Sequence, residues 1–381
     1  MADTLPLDGI RIIAVEQYGA GPYGTQLLAD LGAEVIKIEN PLTGGDVSRF
    51  VSPHRIGEKD SQFFQTFNRN KKSLSLDLKS DDGKAAFHKL VKTADAVSNN
   101  LRGDIPAKLG IDYASLRDVN PKIVCAHLSA YGRDNERATW PGYDYLMQAE
   151  AGFLSVTGEP NGPPVRFGLS IIDFMTGSMF ATGLVAAVFA AYRTGKGSDI
   201  DVSLYDTALH QLSYPATWYL NEGHVTGRMP RGAHPAIVPS QLMQAGDGWM
   251  FFCCQTQKFW ERLCEALGKP EWIKDPRFIT VEDRRENRAQ VEEAVESVLK
   301  TDTMDNWMKV FGGKVPAAPV YDVAQALDNP YAHAVDMVYE EDHPEMDKPI
   351  RLLSSPYRFN GKRLKGGISP ALGADTDDLL G

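Results

Sequence analysis

The chain has 381 residues, of which 43% are hydrophobic and 24% charged, and its formal net charge is −10. These proportions are typical of a soluble globular protein, and the acidic balance argues against a broad nucleic-acid-binding surface, which would need a basic face. At about 100–200 residues per domain, the length predicts two domains or three.

The N-terminal half alternates between strand and helix patterns. Residues 9–16 form an apolar run, a glycine turn and a helical stretch follow, and residues 34–39 form a second strand. Further strands are predicted at 73–78, 96–100 and 122–131, with a helix at 83–94. This alternation predicts right-handed β–α–β units and a parallel sheet with helices on both faces.

An uncharged stretch at 174–192 lies directly after Asp173. Nineteen such residues could span a bilayer, but the stretch is rich in glycine and alanine and is the only one of its kind. We therefore expect a helix buried between layers of a domain, and no membrane partner. Asp173 could be a helix cap, a charge that flanks a membrane span, or a reactive group.

The pattern of predicted elements changes after a Gly- and Pro-rich region at 222–240. A strand is predicted at 248–254 and amphipathic helices at 257–268 and 287–300. We expect a large domain over residues 1–224, a small α+β domain over 225–315, and a return segment over 316–381 that completes the large domain.

Cysteine and histidine usage indicates neither disulfides nor a metal. None of the four cysteines forms a Cys-x-x-Cys pair, and no histidines are spaced as HxxxH or HExxH. The first ten residues also lack the basic and apolar regions of a signal peptide. We therefore expect no metal site, a reducing compartment and a cytoplasmic location.

The stretch GAGPYG, Gly19–Gly24, spells G-x-G-x-x-G after the first strand, and Glu39 ends the next strand. That is the dinucleotide-binding pattern in its expected context. Three interpretations stay open at this point. The loop holds a nicotinamide or flavin cofactor, it is a tight turn that lets the helix pack closely on the strand, or it approaches another pyrophosphate such as that of coenzyme A.

Five stretches, in order along the chain, carry a resemblance to a known family. They include LDGIRIIAVEQYGAGPYGTQLLADLGAEVIKIE, NRNKKSLSLDLKSDDGK, GYDYLMQAEAGFLSVTGEPNGPPVRFGLSIIDFMTG and RTGKGSDIDVSLYDTALH. Together they resemble the class III CoA-transferases, a family that includes formyl-CoA:oxalate and carnitine CoA-transferases and the α-methylacyl-CoA racemases. The resemblance implies a large Rossmann-like α/β domain plus a smaller α+β domain. It also implies a ring-shaped chain that forms an interlocked homodimer.

The family's nucleophilic aspartate falls at Asp173. The resemblance thus implies transfer of CoA from an acyl-CoA thioester to a free carboxylic acid, through mixed-anhydride and aspartyl-CoA thioester intermediates. Acyl-CoA and CoA would be substrates, with no permanently bound cofactor. A cap role for Asp173 is compatible with this, because a helix N-terminus stabilises negative charge. Arg166 hints that the acceptor is a dicarboxylic acid.

Two other functions stay open. The racemase branch has histidine where this chain has Tyr143, and a tyrosine with an ordinary pKa of about 10 is a poor base near neutral pH. Tyr143 and Asp144 therefore resemble the transferases and are assigned to the CoA site. A non-catalytic acyl-CoA-binding protein is the alternative of another class, but it would have no need of Asp173.

The resemblance also implies further CoA contacts, which are assigned to the residues at the matching positions of this chain. They are Gly19, Ala20, Asn40, Leu76 to Lys79, Asn100, Leu101, Arg102 and Lys108, with Arg102 and Lys108 as phosphate partners. Two departures matter: Asn40 replaces an arginine of the oxalate enzyme, and Gly103-Asp104 replaces the usual Pro-Gly. The oxalate enzyme's glycine-rich lid is not evident, and PRGAHPAIVP occupies that region.

Overall fold

A computed structural model describes residues 4–381, which divide into two compact units. The first unit contains the chain up to Ala151, Gly168–Leu212 and Asn329–Gly381; the second contains Gly152–Phe167 and Ser213–Asp328. The small domain expected at 225–315 thus lies inside a larger second unit. Its C-terminal bound moves outward because residues 317–319 pair with the sheet of that unit.

The first unit is built on a six-stranded sheet in which every strand pair is parallel, which confirms the predicted parallel α/β architecture. In chain order the strands are β1 (Arg11–Val15), β2 (Glu34–Glu39), β3 (Lys71–Ser75), β4 (Ala96–Asn99), β5 (Val124–Ser129) and β6 (Ser198–Ser203). They lie in the order β3-β2-β1-β4-β5-β6. This is the order of a Rossmann sheet, in which ligands bind outside the carboxyl ends of the two central strands, where the order reverses.

The two central strands are tied together just beyond their carboxyl ends. The main-chain N–H of Gln17 donates to Oδ1 of Asn100 at 2.9 Å, and Nδ2 of Asn100 donates to the main-chain oxygen of Gln17 at 2.7 Å. These reciprocal bonds fix the loops after β1 and β4 beside each other. The crevice between them is therefore a defined place and not a gap between mobile loops.

One face of the sheet is covered by the helix Asp81–Val91, which begins at a capping Ser80 whose hydroxyl accepts from the Gly83 N–H at 3.0 Å. Its apolar side packs into a buried cluster with residues from the strands. The cluster includes Ile13, Ile36, Leu74, Phe87, Leu90, Val97, Leu116 and Cys125. The regular spacing of apolar residues in this helix and the strands explains why both were predictable.

The other face is covered by the helix Ala20–Asp30 and the long apolar helix Ile171–Thr194. The two approach so closely that a Cβ built on Gly24 would lie 2.6 Å from the main-chain oxygen of Gly177. A side chain at either glycine would push the helices apart. The third glycine of GAGPYG therefore serves close packing, but against a second helix and not against the strand, as one of the three interpretations had it.

The long helix was expected to be buried between layers, and this holds for one side only. Phe180, Leu184 and Val188 are buried, whereas Phe189 is 63% exposed and Met179 is 37% exposed in the single chain. The helix is apolar on both sides, so pattern alone could not show which side lacks a partner. It is the one helix of residues 4–381 that is long and apolar enough to cross a membrane.

Shorter elements complete the first unit. Its further helices are Gln62–Phe67, Ile105–Leu109, Tyr113–Leu116, Asp144–Glu150, Leu204–Gln211, Pro330–Ala334 and Thr376–Leu380. Its two-stranded pairs are Arg55–Ile56 with Asp60–Ser61, Val338–Glu341 with Ile350–Leu353, and Arg358–Phe359 with Lys362–Arg363. The C-terminal segment from Asn329 onward thus belongs to the first unit, close to the return segment expected from the sequence.

The second unit contains an antiparallel sheet of Ser240–Gln244, Trp249–Cys253 and Ala317–Pro319. Its helices are Phe153–Val156, Ser213–Glu222, Gln257–Ala266, Val281–Glu286, Arg288–Leu299, Met304–Phe311 and Val323–Leu327. They enclose an apolar core that includes Phe252, Trp260, Leu263, Val295 and Phe311. The predicted strand at 248–254 and the helices at 257–268 and 287–300 are confirmed within a few residues.

Candidate active site

Two cavities lie at the crevice beyond the carboxyl ends of the central strands, and both are lined by Gln17 and Leu101. The first, here the outer cavity, is also lined by Ile38, Asn40, Leu76, Lys79, Ile105 and Leu109. The second, here the Asp173 cavity, is also lined by Gly19, Ala20, Asn100, Arg102, Trp140, Tyr143 and Asp173. Of the predicted CoA contacts, all but Lys108 and Asp144 line one of the two cavities.

Glycines shape the wall that faces Asp173. A Cβ built on Gly19 would lie 2.9 Å from Oδ2 of Asp173, and one built on Gly21 would lie 2.8 Å from Cβ of Asn100. Both distances are too short for a real side chain. The glycine loop therefore brings bare backbone against the carboxylate and against the bridge between the central strands.

Asp173 lies in the first turn of the long helix and is only 9% exposed. Within residues 4–381 no hydrogen-bond donor contacts its carboxylate. Burial, and then the neighbouring charge of Asp144, raise the pKa of Asp173 to about 7. A buried carboxylate that borders a cavity without a partner is a costly arrangement and marks a functional group.

The cap of the Asp173 helix comes from Asp144 and not from Asp173. Oδ2 of Asp144 accepts hydrogen bonds from the main-chain N–H groups of Ile172 at 2.6 Å and Asp173 at 3.0 Å. Oδ1 accepts from Nε2 of Gln148 at 2.6 Å. Asp144 was expected among the CoA contacts, but it is 4% exposed and lines neither cavity. Its carboxylate is committed to the helix end because that end offers free amides.

Two aromatic side chains also line the Asp173 cavity. Tyr143 is 65% exposed and Trp140 is 49% exposed. The guanidinium of Arg137 lies 4.7 Å from the centre of the Trp140 ring and also pairs with Glu150. Trp140 was missed by the sequence reasoning, because a single tryptophan in a loop carries no pattern that points to a site.

A buried ion pair holds the start of the glycine loop in place. Nζ of Lys37 lies 2.8 Å from Oδ2 of Asp46, and both side chains are fully buried. Oδ1 of Asp46 accepts from the main-chain N–H of Tyr18 at 3.0 Å, immediately before Gly19. Burial disfavours the charge on Lys37, but the carboxylates of Asp46 and Glu16 outweigh it and raise the Lys37 pKa. The second charge in the strand EVIKIE thus has a structural role that its spacing did not reveal.

The two expected phosphate partners are both paired with Asp104. Nε of Arg102 lies 2.5 Å from Oδ1 of Asp104, and Nζ of Lys108 lies 2.5 Å from Oδ2. Arg102 lines the Asp173 cavity, whereas Lys108 lies beyond it. Arg166 is exposed and belongs to the second unit.

Comparison with known proteins agrees with this geometry. A family model described as CoA-transferase family III matches residues 7–376. The chain is 35% identical to acetyl-CoA:oxalate CoA-transferase of Acetobacter aceti, over 87% of this chain and 85% of that protein. It is 34% identical to succinate–glutarate CoA-transferase of Agrobacterium fabrum, over 98% of this chain and 95% of that protein.

A solved structure has the same fold over its whole length. The crystal structure of a CAIB/BAIF family protein from Brucella suis is 31% identical, with a TM-score of 0.85 and 99% of both chains covered. The relatives named above are transferases and not racemases, which confirms the expected class of enzyme. The chain therefore belongs to CoA-transferase family III.

Proposed function

We propose that this enzyme moves CoA from an acyl-CoA thioester to a small dicarboxylic acid, with Asp173 as the covalent nucleophile. The observation that carries the proposal is the Asp173 carboxylate, which is buried, bordered by a cavity and without a hydrogen-bond donor among residues 4–381. A carboxylate that only capped its helix would have its oxygens on main-chain amides. Asp144 already fills that role.

Each half of the reaction consists of two acyl substitutions, one at the thioester carbon of the substrate and one at Cγ of Asp173. An oxygen of Asp173 attacks the thioester carbon, the C–S bond breaks, and CoA leaves as a thiolate from a mixed anhydride. The thiolate then attacks Cγ of Asp173 and releases the donor acid, which gives an aspartyl-CoA thioester. The acceptor carboxylate repeats both steps in reverse and regenerates Asp173. No electron is transferred, so we expect no redox cofactor or metal.

The surroundings of Asp173 suit this chemistry. The raised pKa makes its ionised form a stronger nucleophile than an ordinary carboxylate while leaving a large ionised fraction near neutral pH. The first turns of two helices, at Ala20 and Ile171, lie beside it, and helix N-termini stabilise negative charge that develops on an attacked carbonyl. Burial limits hydrolysis of the anhydride and the thioester.

The outer cavity suits the nucleotide end of CoA. Its lining combines apolar side chains of Ile38, Leu76, Ile105 and Leu109 with the cation of Lys79. Four acidic residues also line it, of which Glu16, Glu39 and Asp46 are paired with buried cations and Asp77 is not among these pairs. Because Gln17 and Leu101 line both cavities, an extended ligand that enters the outer cavity passes them on its way to Asp173. This accounts for most of the contacts expected from the sequence.

The choice of a dicarboxylic acceptor is supported by the names of relatives. The enzymes from Acetobacter aceti and Agrobacterium fabrum are named for oxalate and for succinate and glutarate, which are all dicarboxylic acids. Both relatives match this chain over most of their length. We take this acid class as the acceptor.

We further propose a homodimer with interlocked rings, in the cytoplasm. The long helix is evidence for a partner chain, because its residues Met179, Ala186 and Phe189 form an apolar stripe that this chain leaves exposed. A second copy would cover it. The four cysteines are unpaired, which suits a reducing compartment. Sedimentation of the purified protein at its monomer mass would contradict the dimer.

The substrate proposal is tested by a screen of acyl-CoA donors against free acids, with the CoA esters identified by mass spectrometry. We expect CoA to pass to dicarboxylic acids such as oxalate, succinate or glutarate in the wild type and not in Asp173→Asn. Transfer to monocarboxylic acids alone would contradict the acceptor class. Undiminished transfer in Asp173→Asn would contradict the role of Asp173.

A further inference from the structure

Arg102, Asp104 and Lys108 form a cluster of ion pairs at the rim of the Asp173 cavity. Arg102 holds both oxygens of Asp104, with Nε 2.5 Å from Oδ1 and Nη2 3.0 Å from Oδ2. Lys108 approaches Oδ2 from the other side at 2.5 Å. Two positive charges and one negative charge leave the cluster with one net positive charge.

Local sequence holds Asp104 in this position. A Cβ on Gly103 would lie 2.2 Å from the main-chain oxygen of Gly132, so residue 103 must be glycine. The N–H of Ile105 donates to the main-chain oxygen of Arg102 at 3.0 Å and closes a turn around Asp104. The Asp104 side chain caps no main-chain amide. Both of its oxygens are therefore committed to the two cations, whose hydrogen bonds lower its pKa and keep it ionised.

We propose that Asp104 is a specificity-determining residue that competes with a phosphate group of CoA for Arg102 and Lys108, and so weakens the binding of CoA esters. This rests on the proposed function, in which CoA esters are substrates, and on the expectation from the sequence that Arg102 and Lys108 are phosphate partners of CoA. Carboxylate and phosphate oxygens accept from the same donors, and a fixed negative charge beside the cations repels a phosphate. A transferase has to release a CoA ester in every cycle, and weaker binding serves that release.

Asp104 could instead organise the two cations for phosphate binding, and the structure favours competition. Arg102 and Lys108 have exposed side chains, and exposed ion pairs fix such side chains only weakly. Charge-assisted bonds to phosphate are stronger. Removal of the Asp104 charge should therefore strengthen phosphate binding. This gain should exceed any loss of affinity that results from greater mobility of the Arg102 and Lys108 side chains.

The test is calorimetric titration of Asp104→Asn and Asp104→Ala with CoA and with dephospho-CoA. We expect both variants to bind CoA roughly three- to tenfold more tightly than the wild type, with a steeper dependence on salt. A gain confined to CoA would assign the competing group to the 3′-phosphate. An equal gain with dephospho-CoA would assign it to the pyrophosphate.

The second unit offers a matched control. Arg277 holds Asp275 in a similar fork two residues away, with Nη2 2.6 Å from Oδ2, and Asp275 lines neither cavity. Asp275→Asn should leave CoA affinity unchanged. Unchanged or weaker CoA binding in both Asp104 variants would overturn the inference. Wild-type affinity in a double variant Arg102→Ala, Lys108→Ala would also overturn the inference, because it would show that Arg102 and Lys108 do not bind the CoA phosphates; transfer through Asp173 would not be affected by that result.

Discussion

Oδ2 of Asp144 lies 3.0 Å from the main-chain nitrogen of Asp173, so one buried aspartate caps the helix that presents the other. The arrangement frees the Asp173 carboxylate from capping its own helix. It also places a second negative charge close by, which contributes to the raised pKa of Asp173. Asp144 is thus a positioning residue that affects Asp173 through both geometry and charge.

Asp144→Asn is expected to shift the pH dependence of transfer. In the proposed mechanism ionised Asp173 is the active form, so kcat/KM should rise with pH through about 7 in the wild type. Removal of the Asp144 charge lowers the pKa of Asp173, and the acid limb should move to lower pH. An asparagine oxygen still accepts from the helix amides. An acid limb at the same pH as in the wild type would argue that Asp144 acts on structure alone.

Asp173→Asn is expected to change stability in a pH-dependent way. The pKa of Asp173 is raised from 3.8 to about 7 on folding, so the folded state binds the extra proton between these values. Its contribution to stability is complete below about pH 4 and is lost as pH rises through about 7. The free energy of unfolding of the variant, relative to that of the wild type, should therefore rise between pH 4 and pH 8 by at most ~4 kcal/mol, which is seen as a growing difference in Tm. A constant difference would show that Asp173 is ionised throughout.

Gly19→Ala is expected to damage catalysis more than folding. The new methyl group would lie 2.9 Å from Oδ2 of Asp173 and would displace the carboxylate. Displacement by about an ångström costs up to about a hundredfold in rate. Gly367→Ala is the control, since no atom lies within 4 Å of a Cβ built there. Equal kcat values for the two variants would contradict the close approach of the glycine loop.

Transfer and racemisation are separated by exchange at the α-carbon. Racemisation needs a second base opposite Asp173, and the position at which the racemases have histidine is Tyr143 in this chain, which lines the Asp173 cavity. We expect no deuterium from D₂O at the α-carbon of a 2-methylacyl-CoA, whether or not an acceptor acid is present, as judged by mass spectrometry. Fast exchange in the absence of an acceptor, together with no transfer to any acid, would reverse the assignment.

The centre of the sheet was predictable because β1 and β2 contain buried apolar residues and are separated by a helical pattern, and β2 was predicted at its observed bounds. The end of β3 was predicted less well, because the strand was expected to continue to residue 78. Leu76 and Leu78 continue the alternation of that strand, although the strand ends at Ser75 and only the N–H of Leu76 still donates to the main-chain oxygen of Glu39, at 3.0 Å. Alternation reports burial, and both leucines are buried in the core cluster beside the outer cavity without forming a further stretch of strand.

Asp173 was identified by resemblance, since an aspartate before an apolar helix is usually a cap. The true cap, Asp144, lies 29 residues earlier, and no local pattern links the two. The pairing of Arg102 and Lys108 with Asp104 was not predicted from the sequence for a different reason. Charges at short spacing are common on surfaces, and only coordinates show which of them converge. Long-range contacts of this kind are the part of the site that the sequence leaves open.

The most direct test of the central claim is to trap CoA on Asp173. Wild-type enzyme is incubated with succinyl-CoA in the absence of an acceptor acid, and the intact protein and its peptides are weighed. We expect a CoA adduct on the peptide that contains Asp173, discharged by an added dicarboxylic acid and absent from Asp173→Asn. An adduct that persists in Asp173→Asn, or that lies on a different peptide, would contradict the account.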